Sequence, residues 1–194
     1  MSITSPAEQT TKIIPSFMAH VVFQTKHYEA MIEWYSKVFF ATPVFSSEIL
    51  TFMTYDDEHH RFAMFRMPEH ETAPSPRAGV AHLAYSYGSL SDLLNTYDRL
   101  KGLGITPTWA INHGLTTSLY YTDPDGNEIE LQKDNFPTPE TSKAYFSSPA
   151  YLSNPIGAPF DAETLLAGFR RGGGFDEIMQ EALAAADPSA LPML

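Results

Sequence analysis

The chemistry available to this chain rests on its histidines and carboxylates. His20 and His82 each follow an alanine in an apolar stretch, in Met18-Ala19-His20-Val21 and Val80-Ala81-His82-Leu83. An ionisable ring inside an apolar strand costs free energy unless it is paired or ligated. Two such rings at matching places therefore invite a shared ligand. A third donor lies in Glu128-Ile129-Glu130-Leu131, where strand alternation turns both glutamates to one face and Ile129 and Leu131 to the other. On an outer surface, that pattern is an ordinary polar face over a buried Ile/Leu face. Turned toward a cavity, it makes one carboxylate a metal ligand. Two histidines and one carboxylate occupy one face of an octahedral ion and leave three positions for reactants, a set suited to Fe(II), with Mn(II) as an alternative.

Composition narrows the field. The chain has 194 residues, seven histidines and no cysteine. Lacking thiols, it has no disulfide framework, thiolate zinc site, iron–sulfur cluster or cysteine nucleophile, so any metal is held by nitrogen and oxygen. Twelve basic residues against 23 acidic ones give a net charge of −11. That balance argues against nonspecific nucleic-acid binding, which needs a basic face, and against an anionic membrane surface as partner. No apolar run approaches the ~20 residues of a transmembrane helix. The polar stretch Ser2 to Thr11 has no cationic segment followed by an apolar one, which reads as no signal peptide. A soluble, cytoplasmic protein is expected.

The elements that must position these groups recur in two copies. Residues 1–16 read as a flexible arm. The first unit, 17–68, starts with an apolar strand over Phe17 to Gln24, expected to be buried. A helix follows on the stripe Met31, Trp34, Tyr35 and Val38, closed by Pro43. Strands are expected near Val44–Ser47, Leu50–Tyr55 and Arg61–Met67. Residues 69–79 form a proline-bearing linker. The second unit, 80–135, repeats the order: a strand over Val80–Tyr87, then a helix on Leu90, Leu93, Leu94, Tyr97 and Leu100. Strands near Thr106–Asn112, Thr117–Thr122 and Glu128–Gln132 complete it, the last two flanking a turn at Asp125-Gly126. Duplicated order of this kind marks repeated structural units. The fold class is therefore α+β: two tandem βαβββ modules forming a cupped mixed sheet around a metal site. The C-terminal extension, 136–194, is proline-rich and irregular to Phe160. A helix capped by Asp161 then runs to Arg171, and another spans Asp176 to Ala186.

The strand-opening histidines and the stretch Tyr120-Tyr121-Thr122-Asp123-Pro124-Asp125-Gly126-Asn127-Glu128-Ile129-Glu130-Leu131 resemble the vicinal oxygen chelate superfamily. Within it they are most similar to the small type I extradiol ring-cleavage dioxygenases, over residues 17 to about 135. The Asp-Pro-Asp-Gly stretch is common to superfamily members with other activities, so it speaks for the fold rather than the reaction. The resemblance implies iron ligands at His20, His82 and Glu130. It implies that His60, in Glu58-His59-His60-Arg61-Phe62-Ala63, lies beside the oxygen site. By the same resemblance, His113 lies near the substrate and Tyr120 hydrogen-bonds a substrate hydroxyl. The interval from His113 to Tyr120 is shorter than in two-domain relatives. His27, His59 and His70 have no matching position and read as surface residues.

What the resemblance implies is cleavage of a catechol-type aromatic by O2 beside its two hydroxyls. A glyoxalase-like isomerase generally needs a fourth ligand on the last strand of the first module, which here reads Phe62-Ala63-Met64-Phe65 and offers none. A metal-free, drug-sequestering protein of the bleomycin-resistance type would have no use for the ligand triad. By position, Phe17, Phe62 and Trp109 are candidates for the pocket wall. The apolar, proline-rich extension leads us to expect a homo-oligomer.

Overall fold

The computed structural model describes residues 15–67 and 79–187. Most of the expected arm and nearly all of the linker, with His70, lie outside the described residues. The first module runs β1 (Val21–Thr25), α1 (Tyr28–Phe39), β2 (Thr42–Ser46), β3 (Leu50–Thr54) and β4 (Phe62–Arg66). The second runs β5 (His82–Ser86), α2 (Leu90–Gly102), β6 (Trp109–Asn112), β7 (Thr116–Thr122) and β8 (Glu128–Asp134). Each module builds its own mixed sheet, in the orders β1-β4-β3-β2 and β5-β8-β7-β6. In both, the first strand lies parallel to the last and the remaining pairs are antiparallel. This is the α+β architecture expected from the repeat.

The core lies on the helix side of the two sheets. Met31, Trp34, Tyr35 and Val38 of α1 are buried, as are Leu93, Leu94, Tyr97 and Leu100 of α2. They pack with Phe23, Phe62 and Met64 of the first sheet and Leu119, Tyr121, Ile129 and Leu131 of the second. Each large apolar side chain buried this way contributes about 1.5–3 kcal/mol. The Ser89 side chain caps α2 by accepting from the Asp92 amide at 3.1 Å.

Several boundaries differ from expectation, each for a local reason. Helix α1 ends at Phe39, where Phe40 takes a left-handed conformation (φ 56°). Pro43 instead sits inside β2, at the sheet edge, where its missing N–H is tolerated. The stretch Phe17 to Gln24 is not a buried strand: Phe17 and Met18 are 59% and 65% exposed, and pairing starts at Val21. β-Branched and aromatic residues there cover one sheet face only.

The extension is more ordered than its prolines suggest. It holds α3 (Pro139–Tyr145), α4 (Pro149–Ser153) and β9 (Ala158–Pro159), which pairs with β6 as a fifth strand of the second sheet. Helix α5 (Ala162–Arg170) starts at Asp161, whose Oδ1 accepts from the Thr164 amide at 2.7 Å. Helix α6 (Phe175–Ala185) follows the turn at Gly172. Leu165, Leu166, Ile178 and Met179 bury these two helices in the common core. No described helix is long and apolar enough to cross a membrane.

Candidate active site

Strand alternation decides which side chains can meet. On β8, Ile129 and Leu131 face the core, so Glu128 and Glu130 face the other way. Pairing of β8 with its neighbours then brings Ala84 and Tyr120 beside Glu130, and His82 beside Glu128. Trp109 pairs with Tyr120 from β6. The second sheet therefore gathers His82, Glu130, Tyr120 and Trp109 on one face, with His113 at the end of β6.

Glu130 is the buried centre of this group, 4% exposed. Its Oε2 lies 3.2 Å from His82 Nε2, and its Oε1 lies 4.0 Å from His113 Nε2. Among the described residues no lysine or arginine pairs with it. A buried carboxylate needs a cation or several donors, and two imidazole nitrogens face the same space. That donor set fits a divalent metal. The Tyr120 hydroxyl lies 3.2 Å from His113 Nε2. Burial, then the Glu130 carboxylate, pushes its pKa well above the ordinary phenol value, so it stays protonated.

The first sheet carries the other two predicted histidines. His20 and His60 lie with ring centres 4.4 Å apart, and His60 also packs on Phe52 at 4.5 Å. Desolvation, followed by the neighbouring rings of His20 and His59, lowers the His60 pKa. His20 and His82 line one cavity of about 300 Å³ between the modules, with Tyr55, Phe62 and Tyr85 on its wall. Among the described residues, no three His, Asp or Glu side chains are drawn together tightly enough to hold a metal. His82 and Glu130 are paired, while His20 approaches the same cavity from the opposite module. His20 and His82 do not sit inside buried strands, as their apolar neighbours suggested. His20 precedes β1 and is exposed, and the His82 side chain is 40% exposed at the start of β5.

The aromatic candidates divide. Trp109 packs on Tyr120 and His113, with ring centres 5.1 and 5.9 Å away. Phe62 lies in the core and also borders the cavity; Phe17 is largely exposed against Arg61. His27 and His59 are surface residues at 60% and 70% side-chain exposure.

Two positioning groups had escaped the sequence reading. Arg61 Nη1 donates to the Met18 and Ala19 carbonyls at 2.9 and 3.1 Å, and its Nε donates to both carboxylate oxygens of Asp56. It thereby ties the segment entering His20 to the turn that carries His60. Asp123 is the second. Its Oδ1 accepts from the Asp125 and Asn127 amides, and its Oδ2 accepts from Asn127 Nδ2 and the Tyr35 hydroxyl. Burial raises the Asp123 pKa, and the bonds from Asn127 oppose the shift. His27 Nδ1 reaches Asp125 Oδ1 at 2.7 Å, so the turn before β8 is fastened to the first module at two points.

A family model for the Glyoxalase/Bleomycin resistance protein/Dioxygenase superfamily matches residues 17–131. The chain belongs to that superfamily. It is 46% identical over 182 residues to biphenyl-2,3-diol 1,2-dioxygenase 2 of Rhodococcus globerulus, covering 92% of this chain and 94% of the relative. To biphenyl-2,3-diol 1,2-dioxygenase 3 of the same organism it is 41% identical over 170 residues, covering 86% and 89%. An alignment over 92% of the chain must take in most of the C-terminal extension, which lies beyond the superfamily match. Among solved structures, a glyoxylase/bleomycin resistance protein/dioxygenase domain from Frankia superposes with TM-score 0.53 at 18% identity, covering 64% of this chain and 96% of that one. An integron cassette protein from the Halifax Harbour metagenome gives 0.51 at 15%, covering 61% and 99%. These superpositions speak for the fold alone.

Proposed function

We propose that this superfamily member is an extradiol ring-cleavage dioxygenase. It would open a catechol-type aromatic with O2 beside the two hydroxyls, at a site where His20, His82 and Glu130 hold Fe(II) or Mn(II). The observation that carries this reading is the buried Glu130 carboxylate, faced by His82 and His113 and, among the described residues, by no lysine or arginine partner. The 46% identity to a relative named biphenyl-2,3-diol 1,2-dioxygenase 2 supports it and points to a 2,3-dihydroxybiphenyl-like substrate.

When bound, the metal would supply positive charge that favours a catechol as its anion, and would hold both reactants together so that their reaction becomes effectively intramolecular. The chain's own groups would do the rest. Tyr120 keeps its proton and would donate it in a hydrogen bond to a substrate oxygen. His113 Nε2, beside that hydroxyl, would accept a hydrogen bond or a proton from the substrate. His60, packed on His20, would hold and return a proton on the oxygen side of the cavity. Trp109, packed on Tyr120 and His113 on the same sheet face, would give the aromatic ring an apolar wall and exclude water.

The last strand of the first module sends Ala63 and Phe65 to the face that His20 shares, so that strand contributes no carboxylate or amide there. That favours a dioxygenase over a four-ligand isomerase. A cytoplasmic location is part of the proposal. So is self-association, which exposed Phe17, Met18, Val22 and Val80 support.

The test is anaerobic purification and metal analysis, followed by oxygen uptake over a catechol panel that includes 2,3-dihydroxybiphenyl. Near-stoichiometric iron or manganese with uptake of one O2 per catechol is expected. A metal-free protein that consumes no oxygen with any member would overturn the reading.

A further inference from the structure

His113 is held from two sides, by the C-terminal extension and by β7. Its Nδ1 lies 2.5 Å from the Ile156 carbonyl oxygen, and its Nε2 lies 3.2 Å from the Tyr120 hydroxyl. A carbonyl carries no proton, so Nδ1 must be the donor in that contact. In the neutral ring Nε2 is then left with its lone pair, aimed at Tyr120 and the space before Glu130.

The Ile156 carbonyl is held in place by a built loop. Asn154 Nδ2 donates to the Gly157 carbonyl at 2.7 Å, and the Gly157 amide donates back to Asn154 Oδ1 at 3.0 Å. Just beyond, Ala158 and Pro159 pair with Asn112 and Ile111. Gly157 has φ +102°, and a Cβ there would stand 2.3 Å from the Asn112 carbonyl oxygen. Glycine is required for that approach. On the other side, Gly114 has φ +80°, and a Cβ there would meet the Tyr145 hydroxyl at 2.3 Å. The extension thus closes on both neighbours of His113.

We propose that the C-terminal extension is a working part of the active site: the Ile156 carbonyl, set by Asn154 and Gly157, fixes His113 as the Nδ1–H tautomer and presents an unprotonated Nε2 to the substrate side. Ile156, Asn154 and Gly157 are positioning residues that act through His113. The catalytic consequence rests on the dioxygenase reading; the tautomer does not. In the substrate-free chain that lone pair faces the Tyr120 hydroxyl at 3.2 Å.

The experiment uses the full, metal-free chain labelled with 15N-histidine, in mildly alkaline buffer. Signals of His113 are assigned by their loss in His113→Gln. A protonated Nδ1 and a pyridine-type Nε2 are expected in the wild type. Gly157→Ala should shift the ring toward a mixture of tautomers. In the iron-loaded enzyme it should also lower kcat for 2,3-dihydroxybiphenyl by about 10- to 100-fold, the usual effect of losing an orienting partner. Should Gly157→Ala fail to fold, Asn154→Ala, a surface change, releases the same loop and should shift the spectrum in the same direction. A wild-type ring protonated at Nε2 would overturn the inference. So would a folded variant in which the tautomer and kcat are both unchanged. Failure of the wild type to consume oxygen with any catechol would instead count against the dioxygenase reading, with the spectrum still deciding the tautomer.

Discussion

The hydroxyl of Tyr35 donates to Asp123 Oδ2 at 3.2 Å, joining the buried face of the first module's helix to the turn before β8, 88 positions away. Asp123 is 4% exposed and accepts from two backbone amides, one side-chain amide and this phenol. The Asp-Gly turn is therefore an anchor between modules as well as a reversal.

Removing that anchor should destabilise the chain unequally from its two ends. Tyr35→Phe loses one hydrogen bond and should cost about 0.5–1.5 kcal/mol. Asp123→Ala strands several buried donors and should cost more, about 1–3 kcal/mol for each donor left unsatisfied. Urea unfolding of both variants checks the order. Equal losses would mean that the turn tolerates its missing acceptor.

The ligand reading predicts a specific thermal response. Fe(II) added anaerobically to the metal-free wild type should stabilise it by about 2.7 kcal/mol at a hundredfold excess over Kd, which is several degrees in Tm for a chain of this size. Glu130→Gln removes the buried charge at constant size and should abolish that rise; His82→Ala should do the same. A Glu130→Gln protein that still gains the full Tm increment would take Glu130 out of the metal site.

How much of this was legible in the letters follows from what side chains and backbone can each announce. Alternation in Glu128-Ile129-Glu130-Leu131 set Glu130 opposite the core, and pairing with β5 and β7 brought it to His82 and Tyr120. The helix stripes were equally readable because burial repeats every turn. Arg61 was not, since its partners include two backbone carbonyls that any residues at 18 and 19 would supply. The contact from Ile156 to His113 was hidden for the same reason, and because prolines in 137–160 conceal two short helices and a strand. The strands opening each module were expected to be more buried than they are, because apolar letters do not say whether one sheet face or two are covered.

His60 lies against His20 but outside the proposed ligand set. If its part is to handle a proton, His60→Ala should keep its metal and its affinity for catechol while kcat falls by about 10²- to 10⁴-fold. Metal analysis and steady-state oxygen uptake separate these effects. Loss of metal in proportion to activity would make His60 a ligand, and full activity would remove it from the reaction.

Acidification should loosen the extension from the second module's helix. Glu163 of α5 accepts from Lys101 Nζ at 2.6 and 2.8 Å and from the Tyr97 hydroxyl. The bond from Lys101, then that from Tyr97, holds the Glu163 pKa below the ordinary glutamate value. A carboxylate depressed in the folded state stabilises it fully above its unfolded pKa, about 4.3, and that stability is lost as pH falls through the folded value. The pair is half-exposed, so solvent screening limits its worth to about 1 kcal/mol or less. Glu163→Gln should therefore be slightly less stable than wild type at neutral pH, with the difference closing below pH ~4. Urea midpoints measured across that range decide it: a gap that stays constant down to low pH would mean that the ionised carboxylate contributes nothing to docking α5 on α2.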